Sequence, residues 1–532
     1  MQSKLRVGTR KSDLALTQTN LVKNTLESKG YAPEIQHIIT VGDKDLRPFQ
    51  HMTGDGFFTK EIEKNLLAEN INLAVHSSKD LPSQIHKSLP WVAYSEREET
   101  ADIIIVKKEF VLSENPLKLK NGILIGTSSP RRTAQLKKAF PTARIESIRG
   151  NVPTRIEKVL SGEFEATVLA KAGVNRLNLQ QSILEKGLMI IELGFVTAPC
   201  QGILGVQGHE KHKRVLDQIK NKDLTDIAMA EKSVLAMLGG GCQLAVGCKI
   251  TKDKSYYMDF FFSEDGKNTE LKLKAHSLEG LLRDLFAKIS ESRDSGQRVI
   301  STQPLQHQLR TAKKLAKNNF YPIPWVMREV LPTFSHEDFK NIHDGFASFD
   351  ALVFTSQFSV RIFMNEFISQ YPEHLDAVKK LKLYAVGDAT KSELLAYEMT
   401  NIIVPEDSHG EALLEILDAQ NPLLMGSTDS LLMKVAEKQG RNYKFLKLYG
   451  SFVCQNPLSR LPALKDNDKL VLTNPLCAKD FVELHKGNPT QFQHIKIYAF
   501  GPSTSKILLE NNIEHTVNKK SGSWDEMINT LR

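Results

Sequence analysis

Cysteine, aromatic residues and long apolar runs are all scarce in this 532-residue chain, and each scarcity excludes something. No segment approaches the roughly 18 uninterrupted apolar residues that a membrane helix needs, so no membrane role is expected. The N-terminus, Met-Gln-Ser-Lys-Leu-Arg, carries no apolar stretch of the export-signal kind, so an exported protein is not expected either. The 5 cysteines (Cys200, Cys242, Cys248, Cys454 and Cys477) are odd in number and form no CxxC pair. That argues against a disulfide scaffold and against a thiolate metal centre, and no metal is expected. A cysteine that matters here is read as a free thiol in a reducing cytoplasm. Aromatic residues make up only 7% and do not interleave with the basic ones, as they do in grooves that stack nucleic-acid bases.

What is present describes a soluble protein of several domains, with 41% hydrophobic and 25% charged residues. The net charge of +8 is unevenly spread. Residues 101–250 hold 22 Lys and Arg against 14 Asp and Glu, whereas the stretch after 297 is nearly neutral. A local basic surplus implies an anionic partner: nucleic acid, phosphate or a polycarboxylate.

Through residue 200, short β-branched runs alternate with amphipathic helical stretches, which implies α/β domains with largely parallel sheets. KLRVGTR reads as a strand, with Ser12 capping the helix that follows. From about 250, YYMDFFFSEDGKNTELKLKAHS reads as an antiparallel hairpin leading into a helix, a small α+β unit. The stretch 292–297 is the most linker-like in mid-chain, and after it the alternation restarts. This second half echoes itself. ALVFTSQFSVRIF (351–363) is answered by LVLTNPLCAKDF (470–481), and LYAVGDATKSELL (383–395) by IYAFGPSTSKILL (497–509), which implies two related lobes.

In open α/β sheets, ligands bind beyond the carboxyl ends of the strands, where helix N-termini favour anions. The first half places cationic and hydroxyl groups at nearly every such point. Arg10 and Ser12 follow the first strand, and Lys79 and Asp80 follow LAV. Thr127, Ser129, Arg131 and Arg132 follow ILIG, Arg149 and Arg155 flank a Gly-Asn-Val turn, and Lys171 and Arg176 follow VLA. A solvated surface charge is the ordinary reading of any single arginine. Repetition at turn after turn instead implies a ligand with many carboxylates or phosphates, the groups that guanidinium forks pair with. Asp80 is the lone carboxylate among these cations. It should remain ionised, able to offset a developing positive charge or accept pyrrole-type N–H bonds. Cys242 follows three glycines, so its thiol is open to a bulky adduct, although burial is the default for a lone cysteine.

The segments HSSKDLP, GTSSPRRTAQL, RGNVPTR, LAKAGVNRL and GGGCQLAVG, in this order over about residues 1–296, resemble the signature segments of hydroxymethylbilane synthase, also called porphobilinogen deaminase. The resemblance implies two periplasmic-binding-protein-like lobes, 1–95 with 194–216 and 96–193, plus a small α+β domain over 217–296. It implies a dipyrromethane cofactor held by Cys242 and bound by Lys79, Thr127, Ser129, Arg131 and Arg132. By the same likeness Asp80 is catalytic, and Arg10, Ser12, Arg149, Arg155 and Arg176 bind the acetate and propionate groups. The substrate would be porphobilinogen and the product hydroxymethylbilane. Two positions depart from the family. Asp55 stands where a lysine is usual, a loss that Lys60 would partly offset, and Cys200 precedes Gln-Gly with no assigned role.

The second half is similar to uroporphyrinogen-III synthase through RVISTQP, VFTSQFSV, YAVGDAT, LLMGSTDS and AFGPSTS. That likeness implies a two-lobed α/β module, one lobe from 297–322 with 451–532 and the other from 323–450. It implies cofactor-free ring closure with inversion of the last pyrrole, and Thr355, Ser356, Ser427, Tyr449 and Thr504 are its candidate binding residues. LTNPLCA departs from the usual second Thr-Ser motif. Three other readings compete: a solute-binding protein, a nucleic-acid binder, and a deaminase carrying a non-catalytic C-terminal domain. The reading adopted has small-molecule substrates, no nucleic-acid or membrane partner, and a cytoplasmic monomer.

Overall fold

The computed structural model describes residues 4–40, 59–82, 85–89, 91–112, 118–240, 244–292, 296–406, 410–518 and 523–532. Cys242 and Asp55 lie outside the described residues. Among the described residues there are five sheets, and their architecture is mixed α/β.

The first sheet orders its strands Ala32–His37, Lys4–Thr9, Leu73–Ser77, Ile203–Gly208 and Trp91–Arg97. The first three are parallel, and Ile203–Gly208 runs antiparallel to both of its neighbours. The second sheet orders Arg144–Glu146, Leu124–Gly126, Ala166–Ala170, Asp102–Lys107 and Leu188–Leu193. Contrary to the largely parallel arrangement expected, Asp102–Lys107 runs antiparallel to both of its neighbours, and it is apolar because both of its faces are covered: Ile103, Ile104, Ile105 and Val106 are all essentially inaccessible. The chain crosses between these sheets twice, after Arg97 and again between Leu193 and Ile203. At the return crossing Cys200 and Gly202 both take left-handed backbone (φ 61° and 83°), and a methyl on Gly202 would stand 2.5 Å from the Glu98 carbonyl oxygen. Only glycine allows that approach.

The expected hairpin is there, extended to a three-stranded antiparallel sheet (Ala245–Lys252, Tyr256–Glu264, Lys267–Ala275). Helices Leu278–Ile289 and Lys222–Met237 pack on it. Glu231 of the second helix is wholly buried, and it is satisfied by four donors. Arg97 Nη1 and Nη2 donate to it at 2.9 and 3.2 Å, Cys200 N at 2.5 Å and Ile250 N at 2.7 Å. One carboxylate thus ties the crossing segment to the small domain.

The fourth sheet is all parallel: Phe320–Pro324, Gln297–Ser301, Lys469–Leu472, Lys496–Ala499 and Thr516–Val517. The fifth orders Arg328–Pro332, Lys444–Val453, Pro422–Ser427, Ala351–Phe354, Lys382–Ala385 and Ile402–Ile403, parallel except for its first strand. The internal echo is structural. Ala351–Phe354 and Lys469–Leu472 are both followed after two residues by a helix, capped by Ser356 in one and Asn474 in the other (φ −168° and −156°). Lys382–Ala385 and Lys496–Ala499 both lead to helices whose N-caps are Gly387 and Gly501, in nearly the same extended backbone.

The halves touch along two surfaces. Leu305, Ala312, Val326, Cys454 and Leu458 share one apolar cluster with Val234, Phe260, Leu282 and Phe286 of the small domain. Elsewhere His86 Nε2 lies 2.8 Å from Phe334 O, and Lys87 N donates to Pro332 O at 3.0 Å.

Candidate active sites

Local sequence explains how the first site is assembled. The strand Leu124–Gly126 ends where Thr127, Ser128 and Ser129 begin, and Ser129 caps the helix Pro130–Ala139 by accepting from Arg132 N at 3.4 Å. Pro130 at the first helical position then commits the backbone, placing Arg131 and Arg132 in the first turn. Asn151 caps Val152–Leu160 in the same way, accepting from Thr154 N at 2.9 Å, and so holds Arg149 and Arg155 on either side of the turn. From the first sheet, Leu73–Ser77 leads into the short turn of helix Ser78–Asp80, and Ser12 caps Asp13–Ser28.

The carboxyl ends of the two sheets converge. Burial lowers the Lys79 amine, and its charged neighbours are Asp80 from its own turn and Arg132, Asp102 and Arg131 from the second sheet. Arg155 is depressed to about 10, by burial first and then by Arg132 and Arg149. Several guanidiniums therefore crowd one partly desolvated region at mutual electrostatic cost. Such crowding is stable when an anion occupies the space between them.

A residue that sequence reasoning missed sets the charge balance. Asp102, wholly buried at the start of Asp102–Lys107, accepts from Arg131 Nη1 at 2.7 Å and from Arg132 Nη2 and Nε at 2.7 and 3.1 Å. Gln201 Nε2 donates to the same carboxylate at 3.0 Å. Burial raises the Asp102 carboxyl, and Arg131 and Arg132 more than reverse this, holding it well below the usual carboxylate range. Two arginines share one carboxylate, so a positive charge is left over, and Arg131 Nε is buried without a hydrogen-bond partner among the described residues. The signal was an acidic residue opening an otherwise apolar strand, ADIIIV.

The other predicted cations differ in how far they are already engaged. Arg176 donates to Gly202 O at 2.8 Å and pairs with Glu96 at 3.4 Å, while its Nε is buried and unbonded among the described residues. Lys171 pairs with Glu99 and Glu192. Arg155 Nε donates to Gly150 O at 2.8 Å. Arg10 sits at the end of Lys4–Thr9, next to the Ser12 cap. Lys60 points away from the role expected of it: its Nζ donates to Asn365 O at 2.7 Å and pairs with Glu366 at 3.1 Å, both in the other half. Cys200 is buried, and burial pushes its thiol up to about 12, which disfavours the thiolate.

In the second half, four of the five predicted residues gather at the carboxyl edge of the fifth sheet. Tyr449 pairs with Ser427 in register, and its hydroxyl donates to Ser356 Oγ at 2.8 Å. Thr355 Oγ1 donates to Met425 O at 3.0 Å, and Ser427 Oγ accepts from Asp429 N at 3.3 Å. A methyl on Gly426 would meet Thr355 Oγ1 at 2.2 Å, so glycine is what lets the two loops close up. Burial raises the Tyr449 phenol, partly offset by Ser356 and Thr355, so it stays a hydrogen-bond donor at neutral pH. Thr504 is buried in Pro502–Glu510, on the fourth sheet. There Thr302 and Thr473 join at the strand ends, with Thr473 N donating to Thr302 Oγ1 at 3.0 Å. LTNPLCA keeps the capping geometry with an amide, Asn474 accepting from Cys477 N at 2.9 Å.

Residues 5–217 match the family model described as porphobilinogen deaminase, dipyromethane cofactor binding domain. A porphobilinogen deaminase from Prochlorococcus marinus (strain AS9601) is 35% identical over 319 residues, covering 54% of this chain and 98% of the relative. This chain belongs to the porphobilinogen deaminase family. A probable porphobilinogen deaminase from Methanocaldococcus jannaschii is 36% identical over 274 residues, covering 51% of this chain and 87% of the relative. Residues 310–529 match the model for uroporphyrinogen-III synthase HemD, so the deaminase is fused to a synthase domain. The solved uroporphyrinogen-III synthetase from Helicobacter pylori 26695 aligns with 44% of this chain and 100% of its own, at 19% identity and a TM-score of 0.32. The crowded guanidiniums and unspent donors suit the cofactor that the family model names, since a dipyrromethane with acetate and propionate arms is polyanionic.

Proposed function

We propose that the chain condenses four porphobilinogen units into hydroxymethylbilane and then closes that product to uroporphyrinogen III. The dipyrromethane on Cys242 supplies the primer to which the pyrroles add. Each condensation forms one carbon–carbon bond, releases the substrate's amine as ammonia and returns the displaced ring proton to solvent. Asp80 accepts hydrogen bonds from pyrrole N–H groups and offsets the positive charge that develops as the amine departs. Its place beside Lys79, at the mouth between the two sheets, supports that role. Lys79, Thr127, Ser129, Arg131 and Arg132 hold the cofactor's carboxylates, and Arg10, Ser12, Arg149, Arg155 and Arg176 those of the growing chain. In the synthase domain Thr355, Ser356, Ser427, Tyr449 and Thr504 bind the open tetrapyrrole by hydroxyl groups while water is lost at ring closure.

The observation that carries this reading is the set of crowded, partly desolvated guanidiniums around the buried Asp102, with Lys79 of the neighbouring turn among their charged neighbours. No helix among the described residues is long and apolar enough to cross a membrane. A cytoplasmic monomer acting on small-molecule substrates is part of this proposal. One assay tests the whole. Purified protein is incubated with porphobilinogen, the products are oxidised, and the porphyrin isomer is identified. Isomer III supports both activities, isomer I leaves only the deaminase, and no porphyrin defeats the proposal. Intact-mass spectrometry tests the cofactor attachment: the adduct should vanish in Cys242→Ser.

A further inference from the structure

The synthase domain carries a side-chain cluster that neither activity uses. His343 closes the helix His336–Asp344, and Glu373 and His374 lie in the turn Pro372–His374. His343 Nδ1 and His374 Nε2 are 2.9 Å apart, and Glu373 Oε1 is 3.6 Å from His343 Nδ1. All three ligand atoms fall within 4.8 Å of one another, the one group of this kind among the described residues.

Both imidazoles are held in place by aromatic neighbours. His343 stacks on Tyr371 with ring centroids 4.1 Å apart, and His374 stacks on Phe346 at 4.2 Å. Each imidazole is already held by its own aromatic stack and so has little freedom left to lose when an ion joins the pair. The geometry needs little change. Metal–nitrogen bonds of about 2.0–2.1 Å at a tetrahedral ion put two nitrogens roughly 3.3 Å apart, so the rings would part by under about half an ångström. Glu373 is half exposed and free to swing in, which leaves a fourth position for water.

We propose that His343, His374 and Glu373 bind a divalent transition-metal ion of the zinc class. Two imidazoles and one carboxylate favour such an ion over magnesium or calcium, which demand oxygen ligands. Position indicates its purpose. The helix His336–Asp344 leads through Phe346–Ser348 into the strand Ala351–Phe354, and Pro372–His374 leads through Leu375–Lys380 into Lys382–Ala385. The cluster thus lies toward the amino ends of two adjacent strands, whereas Thr355 and Ser356 stand at the carboxyl end of the first. A bound ion would clip two helix-to-strand connections together at the edge away from the candidate substrate site, acting on stability and not on chemistry.

The test is calorimetric titration of zinc into the intact, cofactor-bearing protein, with magnesium as control, beside melting curves with and without metal. Expected are one saturable zinc site, no competition from magnesium, and a melting temperature raised by zinc in the wild type. His343→Ala and His374→Ala should weaken that site by at least roughly 100-fold, the upper range seen even for outer ligand-supporting groups. Should loss of a stacked ring unfold the lobe, Glu373→Gln decides: it leaves both stacks intact and should still weaken zinc binding, with isomer III yield unchanged. Absence of saturable zinc binding in the wild type, or equal binding in Glu373→Gln, overturns the proposal.

Discussion

The second sheet of the deaminase half and the fifth sheet of the synthase half put their candidate sites in the same place and fill it with opposite chemistry. Both use a short strand, a tight turn and a capped helix: Leu124–Gly126 with Ser129, and Ala351–Phe354 with Ser356. In the first, the turn presents guanidiniums that crowd one another, with Asp102 neutralising only part of the charge. In the second, it presents hydroxyls bonded to one another, and nearby arginines are already matched. Arg361 forms two 2.8 Å bonds with Glu393, and Arg328 forms bonds of 2.5 and 2.7 Å with Asp480. The contrast suits the proposed tasks. A site that must retain a growing polyanion through several condensations needs standing charge. A site that must fold one flexible product and release it is served by neutral donors, which bind less tightly and select by geometry. The near-neutral composition of the second half is then a property of its site and no argument against function.

The largest way to break this comparison is to remove the Asp80 carboxylate from the cation-rich site. Asp80→Asn should fold normally and lose nearly all porphobilinogen turnover, because a preorganised group of this kind supplies about 3–4 kcal/mol or more. Retention of more than about a tenth of the wild-type rate, a loss under roughly 1.4 kcal/mol, would remove Asp80 from its central role.

Next in size is the buried carboxylate beneath the arginines. Asp102→Asn leaves Arg131 and Arg132 facing each other without an anion, and breaking a buried pair costs about 3–5 kcal/mol. The pH dependence has a defined sign. Arg131 and Arg132 hold the folded-state carboxyl below its unfolded value despite burial. Its contribution is therefore fully present above the unfolded pKa of about 3.9 and is lost as pH falls further. The melting-temperature gap between wild type and Asp102→Asn should stay constant from neutral pH to about 5 and close below about 4. A constant gap through pH 3 would assign the loss to packing.

A smaller change sharpens the synthase side. Tyr449→Phe deletes the hydroxyl that donates to Ser356 and leaves the ring packed against Phe358. The expected stability loss is about 0.5–1.5 kcal/mol. Porphobilinogen consumption should stay at the wild-type rate while the share of isomer III falls, since only the second site is touched. A fall in porphobilinogen consumption would show that the two sites are not separable.

Much of this architecture is legible in the sequence because it rests on local signals. Ser12, Ser129 and Ser356 cap helices where strand-like runs end, and the repeated turn chemistry of the second half marks matching strand–helix units. Charge partners were not legible, because they join residues far apart in the chain. Asp102 meets Arg131 and Arg132 across neighbouring elements, and Glu231 gathers donors from residues 97, 200 and 250. For the same reason a list of arginines overstates the charge available to a ligand, since Arg176 and Lys171 already have carboxylate partners. His343 and His374 escaped notice too, because a separation of 31 positions in the chain hides a contact that only the fold creates.

The smallest effect tests where the two sites meet. By sequence, Lys60 is a substrate contact that offsets Asp55, whereas the structure spends it on Asn365 O and Glu366 of the synthase domain. These alternatives make different measurements move. An inter-domain ion pair that is partly exposed contributes about 0–1 kcal/mol, so Lys60→Met should lower stability by that much and leave the KM for porphobilinogen within about twofold. Glu366→Gln should cost a similar amount. The double variant should lose less than the sum of the two, with a coupling of about 0.5 kcal/mol, because either change alone already breaks the pair. A substrate contact would show the reverse: a KM raised by about tenfold in Lys60→Met, equal to roughly 1.4 kcal/mol of lost binding, and no coupling to Glu366. Coupling without a KM change would place Lys60 in the joint between the halves and leave the deficit at Asp55 uncompensated. The cation count of the first site would then be lower than its sequence implies.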